Sequence, residues 1–276
     1  MHIHVRHRTI YDYSAPVRLA PHRLRLSPRG VGVDVLEETV AVDPTPCGRT
    51  ETTDLHGNRV LALDFDGETE RFVVDSRFTV ETHPTPTTPP SALPRLPWTC
   101  VVAEDFATYR DEPDLDDAVR AFAADLAEAS DGEPVAFLER LNHTLFERTD
   151  RHIRGSGYAQ TPAETLARGS GACRDVTVLF MAAARSQGLA ARFVSGYQAR
   201  AETADGLRHL HAWPEVFLPG LGWRGYDPTH GLPVTDGHVA IGAGPDQLAT
   251  MPIEGGFYGA GVTSTLAYDV CIEAED

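Results

Sequence analysis

Cys173 lies where a cysteine can become a nucleophile. It falls in the run Gly-Ser-Gly-Ala-Cys-Arg-Asp at residues 169–175, at the start of an apolar segment that predicts a helix. Unpaired N–H groups and the positive end of a helix dipole stabilise a thiolate and lower the pKa of the thiol. The glycines let the backbone turn sharply and leave room for a substrate. An isolated cysteine is more often a small buried residue, so Cys173 needs a base nearby to be reactive.

A predicted strand can supply that base. Residues 209–216 read His-Leu-His-Ala-Trp-Pro-Glu-Val, and alternation along a strand puts His209, His211 and Trp213 on one face. An imidazole held on a rigid strand is a suitable general base for a thiol. A single histidine on a strand is more often structural, which remains our interpretation of His209. We take His211 as the candidate base.

Asp227 ends the next predicted strand, in the run Trp-Arg-Gly-Tyr-Asp-Pro-Thr at residues 223–229. That strand turns back through Pro219-Gly220, so the two strands should be antiparallel neighbours. Counting outward from the turn brings His211 and Asp227 close to opposite one another. A carboxylate there can fix the imidazole tautomer and stabilise the imidazolium. Taken alone, Asp-Pro is typical of a turn.

Three further residues near these positions have two interpretations each. Gln160 precedes Cys173 by thirteen residues and could give an oxyanion hole its side-chain amide, with the Cys173 N–H as second donor; a loop hydrogen bond is the simpler use. Trp213 could contact substrate or fill the core. We expect Asp175 to interact with the helix dipole rather than to take part in the chemistry.

The histidine pairs invite a metal interpretation that the spacing does not support. His2, His4 and His7 in one run and His209 and His211 in another could each ligate zinc, but no cysteine or carboxylate joins them at a recognisable spacing. The chain also has no phosphate loop, dinucleotide fingerprint or Ca²⁺ loop. We therefore predict no metal and no cofactor.

The elements before the cysteine predict a β domain followed by a linker. Residues 1–82 contain alternating runs separated by turn residues, which favours an antiparallel β-sandwich or a small barrel-like domain. Residues 83–97 then hold six prolines in fifteen residues, a composition that neither a helix nor a central strand tolerates. We predict a polyproline-like linker at 83–97 and a second domain over residues 98–276.

The second domain has helical patterns first and strand patterns afterwards. Predicted helices cover residues 113–129, 134–148 and 171–188, and predicted strands cover 191–197, 210–218, 222–226 and a closing strand at 262–273. The glycine-rich stretch 242–261 has no usable period. The expected arrangement is an α+β domain in which a helix carries Cys173 and neighbouring strands carry His211 and Asp227.

Residues 160–231 resemble the core of the transglutaminase-like superfamily. In that family a glycine-flanked Cys, a His-Ala-Trp strand and an Asp-Pro-Thr carry the catalytic triad, and Cys173, His211 and Asp227 occupy those places here. Residues 188–197 resemble the strand that follows the family's cysteine helix. The N-terminal region, with Tyr11 and Tyr13, is similar to the β domain that precedes this core in many bacterial members.

The resemblance implies a papain-like α+β catalytic domain and a cysteine enzyme that acts on amides through a thioester. The acyl group could go to water, as in a protease or amidase, or to an amine, as in a protein-glutamine transglutaminase. We favour hydrolysis, because many bacterial members are thought to be hydrolases. A non-catalytic protein-binding module is a third possibility, although such a module would normally have lost one member of the triad.

Composition limits the partners. The chain of 276 residues has a formal charge of −16, and all 24 of its basic residues are Arg. Such acidity argues against nucleic acid and anionic membrane as partners, and the resemblance implies a protein or peptide substrate. No apolar segment suits a signal peptide or a membrane span, so we expect a cytoplasmic protein. The other cysteines, at 47, 100 and 271, should be reduced and buried, and the oligomeric state stays open.

Overall fold

The computed structural model describes residues 1–84, 93–99, 106–111, 115–155, 157–200, 203 and 205–275. Antiparallel sheets form the N-terminal part, and a five-stranded sheet packed against helices follows. This arrangement confirms the predicted α+β class.

An 18-residue strand organises the first sheet. Strand β1 (His2–Leu19) pairs with β6 (Thr69–Thr82), and β3 (Val33–Asp43) lies beyond β6. On its other side β1 pairs with β16 (Ser264–Glu275) and the short β15 (Phe257–Tyr258). Residues 2–6, one of the alternating runs that predict the β domain, therefore belong to a strand more than three times as long, with Ile3 and Val5 buried in the core.

A second sheet covers the first. Its order is β14 (Ile253–Glu254), β2 (His22–Leu24), β5 (Arg59–Asp64) and β4 (Gly48–Thr53). The two sheets bury one shared apolar core, which confirms the predicted sandwich. Core residues from both sheets include Ile3, Leu24, Leu63, Phe72, Val74 and Val80.

The C-terminal half is built on a five-stranded antiparallel sheet. Its strands, in spatial order, are β12 (Leu232–Pro233), β11 (Gly222–Asp227), β10 (His211–Leu218), β9 (Ala191–Gln198) and β13 (His238–Gly244). Every residue of β9 is buried, as expected of a central strand covered on both faces. The predicted strands at 191–197, 210–218 and 222–226 are confirmed.

Helices cover one face of this sheet. They are α1 (Ala107–Arg110), α2 (Asp117–Glu128), α3 (Pro134–Arg148), α4 (Pro162–Arg168) and α5 (Cys173–Ser186). The strands β7 (Asp150–Arg151) and β8 (Ser170–Gly171) pair in parallel just before α5. Helix α5 is largely buried and packs on the sheet. The sequence missed α4 because seven residues show no helical period, although its Thr161–Glu164 capping box was readable.

The opposite face of this C-terminal sheet packs on the N-terminal sandwich. Tyr197 and Ile241, from β9 and β13, belong to the sandwich core. The hydroxyl of Tyr197 lies 2.8 Å from His7 Nδ1. The side chain of Asn58 donates to the Ala243 carbonyl at 2.8 Å and accepts from its N–H at 2.7 Å. The two halves are therefore joined by both apolar and polar contacts.

The predicted closing strand exists but belongs elsewhere. Strand β16 pairs with β1 from His2–Glu275 to Tyr13–Ser264, so it extends the N-terminal sheet, although the sequence assigned it to the catalytic domain of residues 98–276. Alternation predicts a strand but not its partner, which here lies at the far end of the chain. The linker limits stay a prediction, because residues 85–92 of the linker lie outside the described residues, as do 113–114 of the first predicted helix.

Among the described residues, no helix combines the length and the apolar character needed to cross a bilayer.

Candidate active site

Cys173 is the first residue of α5, half-buried, and it lines a cavity of about 750 Å³. At this position the backbone N–H groups have no acceptor within the helix. The other described cysteines differ from expectation: Cys47 and Cys271 are exposed, because one precedes an edge strand and the other points outward from β16. Cys100 lies outside the described residues.

A buried carboxylate fixes the start of this helix. Asp175 is fully buried and accepts from the Ala172 N–H at 2.7 Å. It also accepts from Arg154 Nη2 and from the Gln160 N–H, each at 2.8 Å. A side chain at Gly171 would come within 2.8 Å of Asp175 Cβ. Asp175 thus ties the 154–160 loop to the cysteine helix and does not itself line the cavity.

His211 lies between Cys173 and Asp227. It is the first residue of β10, and its Nε2 is 2.9 Å from Asp227 Oδ2. The pairing of β10 with β11 ends at Glu215–Gly225. Asp227 lies two residues beyond that pair, and its side chain extends to the imidazole of His211. His211 also makes a side-chain hydrogen bond with Cys173. Because Nε2 faces the carboxylate, Nδ1 is the nitrogen left for the thiol. The structure therefore brings the three predicted residues together.

Asp227 is held by more groups than the sequence suggested. Its Oδ2 lies 2.8 Å from His230 Nδ1 and 3.1 Å from His238 Nε2, in addition to His211. Its Oδ1 accepts from the N–H groups of Thr229 and His230 at 3.1 and 3.2 Å. Asp227 is completely buried, so these partners replace the water that an ionised carboxylate would otherwise need.

The charges of Cys173, His211 and Asp227 favour a Cys173 thiolate paired with a His211 imidazolium. Burial opposes the charged form of His211, but the Asp227 charge and hydrogen bond raise the pKa of His211 to about 10. Burial likewise opposes the thiolate, yet the hydrogen bond and charge of His211, with Arg174, lower the pKa of Cys173. The pKa of Asp227 lies well below its usual range despite burial, because of the charge and hydrogen bonds of its histidine partners. Burial lowers the pKa of His238, which therefore stays neutral.

The two additional sequence candidates do not face the cavity. Gln160 directs its Nε2 to Asp175 Oδ2 at 3.3 Å, so its amide serves the loop rather than an oxyanion hole. Trp213 is 1 % exposed and packs its ring on His211 and edge-on against His238. Neither lines the cavity. Spacing along the chain cannot show which way these side chains point.

The sequence missed several residues of the site. His230 lines the cavity, with its ring centroid 5.0 Å from that of His211; its place three residues after Asp227 was the available signal. Strands β1 and β16 form the wall contributed by the N-terminal sheet, with Thr9, Tyr11 and Tyr268. No local pattern could have indicated this wall, because both strands lie far from Cys173 in sequence.

One cluster has the spacing of a metal site. Ligand atoms of His211, Asp227 and His230 lie within 4.8 Å of one another. Both imidazoles already direct those nitrogens at the carboxylate, so a metal would have to displace the hydrogen bonds that hold His211. The sequence expectation of no metal stays a prediction.

Two family models match the chain. Residues 3–81 match the bacterial transglutaminase-like N-terminal region, and residues 120–228 match the transglutaminase-like superfamily. The second segment contains Cys173, His211 and Asp227. The first coincides with the N-terminal sandwich strands β1 to β6.

Two mycobacterial proteins and one solved structure are similar to this chain over most of its length. An uncharacterized protein of Mycobacterium tuberculosis is 29% identical over 275 residues, covering 92% of this chain and 87% of its own length. One of Mycobacterium leprae is 27% identical and covers 97% and 96%. A crystal structure of a candidate cysteine protease from Cytophaga hutchinsonii superposes with a TM-score of 0.75 at 20% identity, over 100% of this chain and 92% of that one. At that identity the match shows a shared fold.

Proposed function

Because this chain belongs to the transglutaminase-like superfamily, we propose that it is a cysteine-dependent amide hydrolase with a protein or peptide substrate. Cys173 is the nucleophile, His211 the general base and acid, and Asp227 the group that orients His211. The observation that carries the proposal is that Cys173 and His211 line one cavity while Asp227 holds His211 from behind through a 2.9 Å hydrogen bond.

The first half-reaction forms a thioester. His211 as imidazolium holds Cys173 as thiolate, and the thiolate sulfur attacks the amide carbonyl carbon, whose electrons move onto oxygen. The tetrahedral oxyanion collapses, the C–N bond breaks, and the His211 Nδ1 proton goes to the leaving nitrogen. The N–H of Cys173, at the first position of α5, has no acceptor within the helix and can stabilise the oxyanion.

The second half-reaction transfers the acyl group to water. His211, now neutral, takes a proton from a water molecule, and the resulting hydroxide attacks the thioester carbonyl carbon. The C–S bond breaks, the carboxylic acid leaves, and the thiolate–imidazolium pair returns. Asp227 keeps His211 in one orientation through both steps, with Nε2 toward the carboxylate and Nδ1 toward the sulfur.

Access to the sulfur supports water as the acceptor. Cys173 is only half-buried and borders a cavity of about 750 Å³, and a transferase must keep water from its thioester to favour an amine. Aminolysis by a primary amine, as in a protein-glutamine transglutaminase, is the competing outcome that the assay must separate.

An acyl-donor assay tests the proposal. A library of glutamine-containing peptides is incubated with wild type and with Cys173→Ala, with and without a primary amine, and the products are identified by mass spectrometry. Free acid or cleaved peptide that depends on Cys173 is expected. An amine adduct as the main product would replace hydrolase by transferase, and equal products from Cys173→Ala would refute the thiol mechanism.

Alkylation separates an enzyme from a non-catalytic module of the same fold. Iodoacetamide near neutral pH should label half-buried Cys173 well before exposed Cys47, because desolvation and the Asp66 carboxylate raise the pKa of Cys47. His211→Ala should slow the labelling of Cys173 only. Equal and slow labelling of all the cysteines would mean that the thiol is not activated.

A further inference from the structure

The active-site cavity gathers positive charge in an acidic protein. Arg151, Arg154, Arg174 and Arg208 line it, and Asp150 is the only acidic residue among the described residues that do so. The chain as a whole carries 40 acidic and 24 basic residues. A concave site lined with one sign of charge raises the local concentration of ligands of the opposite sign.

The acids behind the cavity wall already have partners. Asp175 accepts from Arg154, Asp205 lies 2.9 Å from His209 Nε2, and Asp227 is surrounded by histidines. Asp175 and Asp227 are fully buried, so they reduce the field of the arginines without offering an acidic surface, whereas Asp205 is exposed and lies outside the lining. Apart from Asp150, the polar side chains that a ligand meets in the cavity carry guanidinium, imidazole, amide or hydroxyl groups.

Arg174 brings this charge to the nucleophile. It follows Cys173 directly, and its Nη2 donates to the Arg154 backbone carbonyl at 2.7 Å, which fixes the guanidinium beside the cavity. Burial lowers the pKa of Arg174, the Cys173 thiolate raises it, and the opposing charges of Arg154 and Asp175 follow. Arg154 itself is paired with Asp175, so the positive charge next to the nucleophile comes mainly from Arg174, whose planar guanidinium matches the geometry of a carboxylate.

Tyr268 faces the same place from the closing strand. Its hydroxyl lies 3.1 Å from His209 Nδ1, and His209 in turn contacts Asp205, so the phenol is fixed. Burial, and after it the Asp205 charge, raise the pKa of Tyr268, so the phenol stays protonated. With Nε2 of a neutral His209 directed at Asp205, the phenol donates its proton to His209 Nδ1, and Tyr268 serves as a fixed polar part of the wall.

We propose that this cavity recognises a carboxylate close to the scissile amide, with Arg174 as the principal binding residue and Tyr268 in the wall that faces it. The substrates are then acidic acyl donors. The carboxylate can be an acidic side chain next to the cleaved bond or the free C-terminus of a short peptide. This inference rests on the proposed function and narrows its substrate class.

A pair of alkylating reagents measures the charge of the site without any substrate. Iodoacetate is an anion and iodoacetamide is neutral. Both react with the same Cys173 thiolate, so the thiolate fraction drops out of the ratio of the iodoacetate rate constant to the iodoacetamide rate constant. Arg174→Gln should lower this ratio by about three- to tenfold, as expected for removing one charge from a half-buried site. Arg120→Gln, which removes an exposed guanidinium outside the cavity, should leave it unchanged. Cys47, beside Asp66 and Asp64, gives an internal reference with a low ratio.

Matched peptides identify the source of the carboxylate. One pair carries Glu or Gln beside the scissile residue, and a second pair has a free or an amidated C-terminus. Wild type should favour the charged member of one pair by about tenfold or more in kcat/KM, mainly through KM. Arg174→Gln should remove that preference, and Arg120→Gln should keep it.

The two arms separate this inference from the proposed function. An unchanged reagent ratio in Arg174→Gln, or equal turnover of charged and neutral peptides, overturns the carboxylate site and leaves the hydrolase intact. A ratio that falls with Arg174→Gln while no amide is cleaved supports the anion site and overturns the hydrolase. A folded Arg174→Gln protein is verified by an unchanged melting temperature.

Discussion

Replacing Asp227 with Asn isolates the electrostatic part of the triad. The amide has nearly the shape of the carboxylate but no charge, and only one of its two ends can accept a hydrogen bond. In the wild type the Asp227 carboxylate, and after it Cys173, raise the pKa of His211 from an ordinary 6.5 to about 10 against the effect of burial. Because Asp227 is the larger contributor, removing its charge should take away most of that rise, a loss on the order of a few kcal/mol of preference for the imidazolium.

The thiol should register this loss. The hydrogen bond and charge of His211 lower the pKa of Cys173, whereas burial raises it. Without the imidazolium, burial opposes the thiolate and only Arg174 and the Ala212 N–H still favour it, so the pKa of the thiol should rise. The thiolate fraction at pH 7 then falls, and alkylation should slow by at least about tenfold. Turnover should fall further, on the order of 10²–10⁴-fold, since the leaving group also loses its acid.

The assay is the rate of iodoacetamide alkylation at Cys173 between pH 5 and 10. Wild type should show a plateau that begins at the lowered thiol pKa, and Asp227→Asn should show a rate that climbs through pH 9. Asp205→Asn is the matched control, because Asp205 hydrogen-bonds His209 and not His211. A plateau that survives in Asp227→Asn would refute the argument that this carboxylate maintains the ion pair.

Three further predictions concern the parts that hold the site. Burial lowers the pKa of His7 to about 4, so neutral His7 contributes its full share to the free energy of unfolding above pH 6.5, and about 3 kcal/mol of that free energy is lost as the pH falls from 6.5 through 4. In His7→Gln, the free energy of unfolding measured in urea should depend less on pH between 6.5 and 4. A pH dependence equal to that of the wild type would contradict this prediction. Gly196→Ala would place Cβ 2.2 Å from the Val239 carbonyl oxygen, inside the five-stranded C-terminal sheet. This crowding should lower the free energy of unfolding in urea by about 1–3 kcal/mol and slow the alkylation of Cys173. Wild-type values for both measurements would argue against it. Asp175→Ala removes the buried acceptor of Arg154 and should destabilise the protein by about 3–5 kcal/mol by thermal melting, compared with less than 1 kcal/mol for the exposed Asp117→Ala.

The sequence predicted the centre of the candidate site because its signals are local. A helix start at Cys173, and two strands joined by a short turn, fix the approximate places of His211 and Asp227 through backbone geometry alone. Backbone geometry did not predict the direction in which the other candidate side chains point. Gln160 and Trp213 lie in the right segments, yet one bonds Asp175 and the other packs under the histidines.

Long-range pairing set a second limit on prediction. The closing strand was visible as an alternating pattern, but its pairing with β1 depends on which of several open sheet edges it meets. His238 shows the same limit, because β13 must lie beside β9 before its imidazole reaches Asp227. Neither relation leaves a trace in nearby residues.

The position of β16 has a consequence for how chemistry and substrate choice are divided. The groups proposed to make and break bonds all lie in the segment that matches the superfamily core, residues 120–228. The wall facing them comes from β1 and β16, outside that segment. Because β16 pairs with β1, Tyr268 reaches the cavity only when both ends of the chain join one sheet. Substitutions in β1 and β16 can thus change which acyl donor fits the cavity without changing the thiol chemistry of residues 120–228. The preference for a carboxylate that we infer should be sensitive to such substitutions.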